Sequence, residues 1–312
     1  MSMGKNDLVS GMRTYITELC EGGHHSTAKS YQDALNSFKR FSGREEIPYT
    51  YINKENLLFY QNYLEKRGCA RNTVSTYMRR LRCMYNRAVD AGEAPYIPHL
   101  FKGVFTGVES KRKKALSLEM LHVLMMTPVE DIKMRKTQGV LCLMFLFCGM
   151  AFVDLAHLKK ENIKNGLLAY YRQKTGTSIQ VEIPVEALSL LESLAEDITS
   201  GSPFLLPFLS GTKSGEAAYR EYTSALSRFN RDLKSLAKIL GITCPVTSYS
   251  IRHSFATTLK EQDVSIEMIS ELLGHKSIKT TQIYLKSFSL EKISAVNKAC
   301  FERLYNYVPK VG

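Results

Sequence analysis

The chain has 312 residues, enough for two domains that each bury a core. Its 42 Lys and Arg against 30 Asp and Glu leave a formal charge of +12, an excess whose self-repulsion a polyanion or an anionic membrane would offset. No apolar run approaches a bilayer span and MSMGKNDLVSGMR has no hydrophobic stretch like that of a signal peptide, so a membrane partner is not expected and nucleic acid is.

The seven cysteines are scattered, odd in number and never spaced as a metal-binding pair. They read as reduced thiols of a cytoplasmic protein, with no metal and no cofactor expected. From about Asp7 to Val89 the pattern is helical. Ser26 is expected to cap a helix with Tyr31, Leu35 and Phe38 on one face, ending before Gly43. Asn53 caps the next, with Leu57, Leu58 and Leu64 toward a core and a stop at Gly68. Asn72 starts a third, with Val74, Tyr77, Leu81, Tyr85 and Ala88 at helical spacing, closed by Gly92. Four short helices are expected to form a small bundle over residues 1–103.

The remaining face of the helix after Asn72 carries Thr73, Ser75, Thr76, Arg79, Arg80 and Arg82, a mix of hydroxyls and arginines suited to phosphate and groove contacts. A merely solvated surface explains one such face equally well. The helix of Lys29, Ser30, Asn36, Ser37, Lys39 and Arg40 repeats it and moves the reading toward DNA. Pro95 and Pro98 lead to Glu109-Ser110-Lys111-Arg112-Lys113-Lys114, and a linker is expected over 104–116. Lys111, Arg112 and Lys113 are either a solvated run or a strip along a phosphate backbone. Ser117 then caps the first helix of a second, mostly helical domain over 117–312. Its one clear β element runs Leu167–Lys174, turns at Thr175-Gly176-Thr177 and returns through Ile179–Ile183. Period-two alternation would put Arg172 and Lys174 on one face.

The last quarter holds Ser248-Tyr249-Ser250-Ile251-Arg252-His253-Ser254-Phe255-Ala256-Thr257, then Leu272-Leu273-Gly274-His275-Lys276-Ser277, then Thr280-Thr281-Gln282-Ile283-Tyr284. In order and spacing this resembles the active-site signature of the tyrosine recombinases, the phage-integrase superfamily, and in particular two-domain integrases and invertases of bacterial mobile elements. The resemblance implies a mainly α fold with a small β-hairpin or sheet: a helical-bundle core-binding domain clamping DNA, then a catalytic domain. It makes Tyr284 the nucleophile forming a 3′-phosphotyrosine link, Arg252 a bidentate holder of the scissile phosphate, His275 its hydrogen-bonding assistant and Lys174 the general acid on the hairpin. His253 reads as structural. The partners implied are double-stranded DNA with inverted-repeat core sites and a homotetramer in the synaptic complex, from a monomer or weak oligomer when free. The setting is the bacterial cytoplasm, at the nucleoid.

Two positions depart from the family pattern. Cys148-Gly149-Met150-Ala151-Phe152-Val153-Asp154-Leu155 matches the segment of the first catalytic arginine at Asp154 but has Ala151 where arginine is expected, with Cys148 before the glycine. The histidine three residues before Arg252 is Tyr249, a phenol that can donate one hydrogen bond. Losing the arginine costs several kcal/mol of transition-state stabilisation unless another cation takes its place. Arg172 either does so or contacts flanking DNA. Integration, excision or inversion is the leading activity. A catalytically degenerate DNA-binding protein and a type IB topoisomerase are the alternatives, the latter disfavoured by the amphipathic stretch Leu290–Leu304, which reads as a helix that docks on a neighbouring protomer or on its own domain.

Overall fold

The computed structural model describes residues 7–109, 115–195 and 201–285, together with 294, 297–299 and 302. Its contacts divide the chain into two compact units, Met1–Lys111 with Ser214–Tyr219 and Arg112–Lys213 with Arg220–Gly312.

The first unit runs through α1 (Leu8–Glu21), α2 (His25–Ser42), α3 (Lys54–Lys66) and α4 (Arg71–Asp90). Asp7 opens α1 with a reciprocal cap, its carboxylate accepting from the Ser10 amide at 2.8 Å. Asn53 caps α3 as expected, accepting from the Asn56 amide at 2.9 Å. The apolar stripes meet in one core of Leu35, Phe38, Leu57, Tyr60, Leu64, Val74, Met78, Leu81 and Tyr85. Leu58 is instead 43% exposed, because consecutive helical residues lie about 100° apart and Leu57 already faces inward.

Two expected caps are not caps. Ser26 lies inside α2, whose first turn follows His24. Asn72 lies inside α4, which starts after Ala70, and its amide is engaged elsewhere: Nδ2 donates to the Glu109 carbonyl at 2.7 Å and Oδ1 accepts from the Glu109 amide at 2.8 Å. Ser75, expected on the outer face, is fully buried and donates to the Gly107 carbonyl. The segment 105–109 is thus fastened along α4, and the Phe105 amide donates to Gln61 Oε1 on α3 at 2.8 Å. The cations Lys111, Arg112 and Lys113 lie outside the described residues.

The second unit contains α5 (Leu118–Met126), α6 (Ile132–Leu146), α7 (Phe152–Ala156), β1 (Ile163–Lys164), β2 (Leu167–Tyr171), β3 (Ser178–Glu182), α8 (Val185–Ala195), α9 (Gly215–Ile239), α10 (Ser248–Glu261), α11 (Ile266–Leu272) and α12 (Ile278–Tyr284). Ser117 caps α5 as expected, accepting from the Met120 amide at 3.3 Å. The expected hairpin is part of a three-stranded antiparallel sheet in the order β1-β2-β3, with Leu168 opposite Val181 and Tyr170 opposite Ile179. β1 has two residues, too few for alternation to announce it. Leu168 and Tyr170 point into a core with Leu141, Phe147, Leu155, Phe229 and Leu233, while Leu167, Ala169 and Tyr171 face out. Among the described residues no helix is long and apolar enough to cross a membrane.

Candidate active site

Three backbone devices bring the site together. The first follows α6, where Cys148 and Gly149 are both left-handed (φ 56° and 64°) and turn the chain back sharply. A Cβ at Gly149 would come within 2.9 Å of Phe255, so both the conformation and the close approach require glycine. This turn exposes the Gly149 carbonyl to α10 and starts α7 just after Ala151, bringing Asp154 inward at 2% exposure.

The second device is the hairpin. β2 ends at Tyr171, and Arg172 enters the turn by donating its amide to the Thr177 carbonyl at 2.9 Å and accepting from the Gly176 amide at 2.8 Å. The strand's alternation persists one residue past its end, so Arg172 follows Leu168 and Tyr170 inward. Lys174 does not share its face: it lies exposed in the turn, because the bonds closing the turn end the period-two geometry. Inside, Arg172 Nε donates to Asp154 Oδ2 at 3.3 Å, and Asp154 Oδ1 accepts the Gln173 amide at 2.8 Å. Arg172 Nη1 donates to the carbonyls of Leu273 and Gly274, each at 3.1 Å.

The third device supplies those carbonyls. α11 ends in a paired cap in which the Gly274 amide donates to the Glu271 carbonyl at 2.8 Å and the His275 amide to that of Ser270 at 2.9 Å. Gly274 is left-handed (φ 59°), and a Cβ there would lie 2.6 Å from Ile179 Cδ1 and 2.7 Å from Arg172 Cδ. The cap turns the Leu273 and Gly274 carbonyls toward the hairpin and sets His275 beside α10.

On α10, Arg252 is 2% exposed. Its Nη1 donates to the Gly149 carbonyl at 2.9 Å, its Nη2 to the Leu273 carbonyl, and Nη2 also faces His275 Nε2 at 3.4 Å. Both guanidiniums therefore share the Leu273 carbonyl. Two buried cations with one buried carboxylate leave an excess of positive charge, and Arg252 Nε has no hydrogen-bond partner among the described residues. Burial above all, then Arg172 beside it, brings Arg252 down to about 10, so it stays charged at neutral pH. Burial, then the charges of Arg252 and Arg172 and more weakly Lys174, pushes His275 down to about 4 and leaves the imidazole neutral. An uncompensated buried charge is costly, and an anion is what would offset it here.

Tyr249, exposed on α10, is raised by burial while the charges of Arg252 and Arg172 pull the other way. His253 is buried, its ring edge-on to Tyr249 at 4.9 Å between centroids. Tyr284 closes α12; its side chain lies outside the described residues, as does most of the stretch Leu290–Leu304. Of the residues that the sequence singled out, Arg252 meets His275 and shares the Leu273 carbonyl with Arg172, for which the sequence had left two placements open. Sequence reasoning used Asp154 only to align a motif and missed its pairing with Arg172, whose one signal was a lone acid beside the departed arginine position. It also missed Thr281, 2.9 Å from His275 Nδ1.

The expected DNA-contacting residues of the first unit differ in how free they are. Arg40, Arg79 and Arg82 are exposed. Arg79 lies back along its own helix, with Nε toward the Ser75 carbonyl at 3.4 Å. Arg80 donates to Ser30 Oγ at 3.1 Å and stacks over the Tyr31 ring at 4.7 Å, which ties α4 to α2. Lys39 is paired with Glu45. Thr73 is half-buried, as is Thr76, which donates back to the Asn72 carbonyl at 2.8 Å. Ser37, expected on the same polar face, is buried and accepts from the Tyr60 hydroxyl at 2.8 Å.

A helical bundle is followed by a mostly helical unit in which two buried guanidiniums and a histidine gather beside a single buried carboxylate, a local excess of positive charge. Residues 117–291 match the phage integrase family model and residues 7–99 the phage integrase SAM-like domain. The chain therefore belongs to the phage integrase family, the tyrosine recombinases, enzymes that cut and rejoin DNA. It is 25% identical over 288 residues to "Tyrosine recombinase XerA" of Thermococcus kodakarensis, covering 90% of this chain and 91% of the relative, and 26% identical to that of Pyrococcus furiosus, covering 95% and 94%. In fold it is similar to a lambda integrase tetramer bound to a Holliday junction, with TM-score 0.68 and 18% identity over 91% of this chain and 79% of the other.

Proposed function

We propose that this recombinase cuts DNA with Tyr284 and that Arg172 takes the place of the missing family arginine. In this reading Arg252 and Arg172 hold the non-bridging oxygens of the scissile phosphate, Tyr249 donates one further hydrogen bond, and His275 assists Arg252. The Tyr284 oxygen attacks phosphorus, the bond to the 5′ oxygen breaks, and Lys174 gives that oxygen its proton. The 3′-phosphotyrosine link conserves the energy for rejoining, and side-chain cations do the work that a metal ion does elsewhere.

The observation that carries this reading is the Leu273 carbonyl shared by both guanidiniums, which makes Arg172 a neighbour of Arg252 within one buried cluster. The excess of basic residues supports a DNA partner, and the similar lambda integrase structures, a dimer bound to a core site and a tetramer bound to a Holliday junction, support assembly on DNA. The finer reading is a duplex with inverted-repeat core sites, a synaptic homotetramer formed from monomers or weak oligomers, and action on nucleoid DNA in the cytoplasm. Residues 1–103 act as the clamp on the duplex, 104–116 as the basic linker, and 117–312 as the catalytic domain with a helix exchanged between protomers.

Arg172→Lys tests the reading. The charge stays and the buried Asp154 keeps a partner, while the planar fork is lost. Single-turnover cleavage should fall by roughly a hundredfold with DNA affinity within about threefold, as for a contact made in the transition state. Weakened binding with unchanged chemistry of the bound complex would mean an ordinary backbone contact.

A further inference from the structure

His275 sits between α10, which carries Arg252, and α12, which ends at Tyr284. Nε2 faces Arg252 Nη2 on α10 at 3.4 Å, and Nδ1 lies 2.9 Å from Thr281 Oγ1 on α12. A guanidinium has donors only, so the nitrogen facing it carries a lone pair. The proton of the neutral ring therefore rests on Nδ1, and the Thr281 hydroxyl accepts it.

Thr281 is fully buried, and Tyr284 closes the same helix three residues on. A buried hydroxyl in a crowded helix contact has little freedom to turn away, and the direction it imposes on the ring is correspondingly firm. The α12 backbone is in turn closed by the Leu285 amide donating to the Thr281 carbonyl at 3.2 Å.

We propose that Thr281 is a positioning residue whose hydroxyl fixes the tautomer and plane of His275, so that the phosphate clamp is complete only when α12, the helix carrying Tyr284, is seated. The inference rests on the roles given above to His275 and Tyr284. A phosphate oxygen entering beside Arg252 meets Nε2 of a ring that is already oriented. Its negative charge favours a proton on Nε2, taken from water, while Nδ1–H keeps Thr281 as acceptor, so the ring becomes a donor to the phosphate without rotating. Clamp and nucleophile are then coupled through one side-chain hydrogen bond.

The test compares Thr281→Val, which keeps the shape and removes the hydroxyl, with Thr281→Ser, which keeps the hydroxyl. In the free proteins, 15N NMR of the His275 ring should show protonated Nδ1 in the wild type and the serine variant, and a shift toward protonated Nε2 in the valine variant. On nicked DNA, single-turnover formation of the covalent adduct should fall about tenfold or more in Thr281→Val and recover in Thr281→Ser, with DNA affinity unchanged. In a His275→Ala background Thr281→Val should add no further loss. Should the valine variant fold poorly, Thr281→Ala serves in the same comparison. A ring spectrum unaltered by loss of the hydroxyl, equal losses in the serine and valine variants, or additive losses with His275→Ala would overturn the proposal. If the wild type forms no adduct, the reading of Tyr284 falls, and the ring spectra still decide whether Thr281 governs His275.

Discussion

His275 is the residue least hospitable to a proton in the active site. Its folded pKa of about 4 lies below the ordinary 6.5, first because of burial and then because of Arg252 and Arg172. As pH falls through 6.5 the unfolded chain binds a proton that the folded chain refuses until about 4, so stability should drop across that window and level off below it. The shift would correspond to about 3 kcal/mol, and the half-exposed ring reduces this to about 1–2 kcal/mol. Urea melts at pH 7.5 and 4.5 should show the wild type losing that much more than His275→Ala. Equal losses in the two proteins would mean that the imidazole accepts its proton freely. At this scale the motif spacing made Arg252 and His275 legible, because both lie within one short stretch of chain. The Arg172–Asp154 pair joins residues 18 apart through a turn, and the Leu273 carbonyl is reached from residues 101 and 21 away, contacts that spacing does not express.

Elements were legible where a periodic stripe ran for several turns and less so at their ends. α2, α3 and α4 bury the apolar residues their spacing singles out, apart from Leu58 and the half-buried Tyr77. The starts of α2 and α4 were misjudged because Ser26 and Asn72 are good capping residues by type, and Asn72 gains more from two bonds to the Glu109 backbone. The hairpin illustrates the same limit: alternation delivered Arg172 to the interior but could not foresee that the turn begins there and leaves Lys174 outside. An exposed turn is suited to an acid that must reach a leaving group on bound DNA. Lys174→Ala should therefore slow cleavage by two or more orders of magnitude on ordinary DNA, and far less on DNA whose 5′ bridging oxygen is replaced by sulfur, since a thiolate leaves without a proton. A similar slowing on both substrates would assign Lys174 to phosphate binding instead.

Across the whole molecule, charge and sequence pattern together announced a DNA enzyme, and the match to the phage integrase family model over residues 117–291 shows that family. Charge alone could not say which cations are available. Arg80 spends itself on Ser30 and Tyr31, whereas Arg82 is exposed. DNA affinity should fall linearly on a log–log plot against salt, and Arg82→Ala should lower the slope by about one counterion while Arg80→Ala acts mainly on the stability of the bundle. A flat salt response would show that the basic surface does not meet phosphates.

The central claim is that Tyr284 attacks a phosphate held by side-chain cations. It is tested most directly by incubating the protein, in the presence of a chelator, with nicked suicide duplexes carrying a site selected by the protein from random sequence, and then denaturing the mixture. The account predicts a covalent protein–DNA adduct that forms without divalent metal, maps to Tyr284 and disappears in Tyr284→Phe while DNA binding persists. An adduct that survives Tyr284→Phe, one that requires magnesium, or none at all from tightly bound wild-type protein would contradict it.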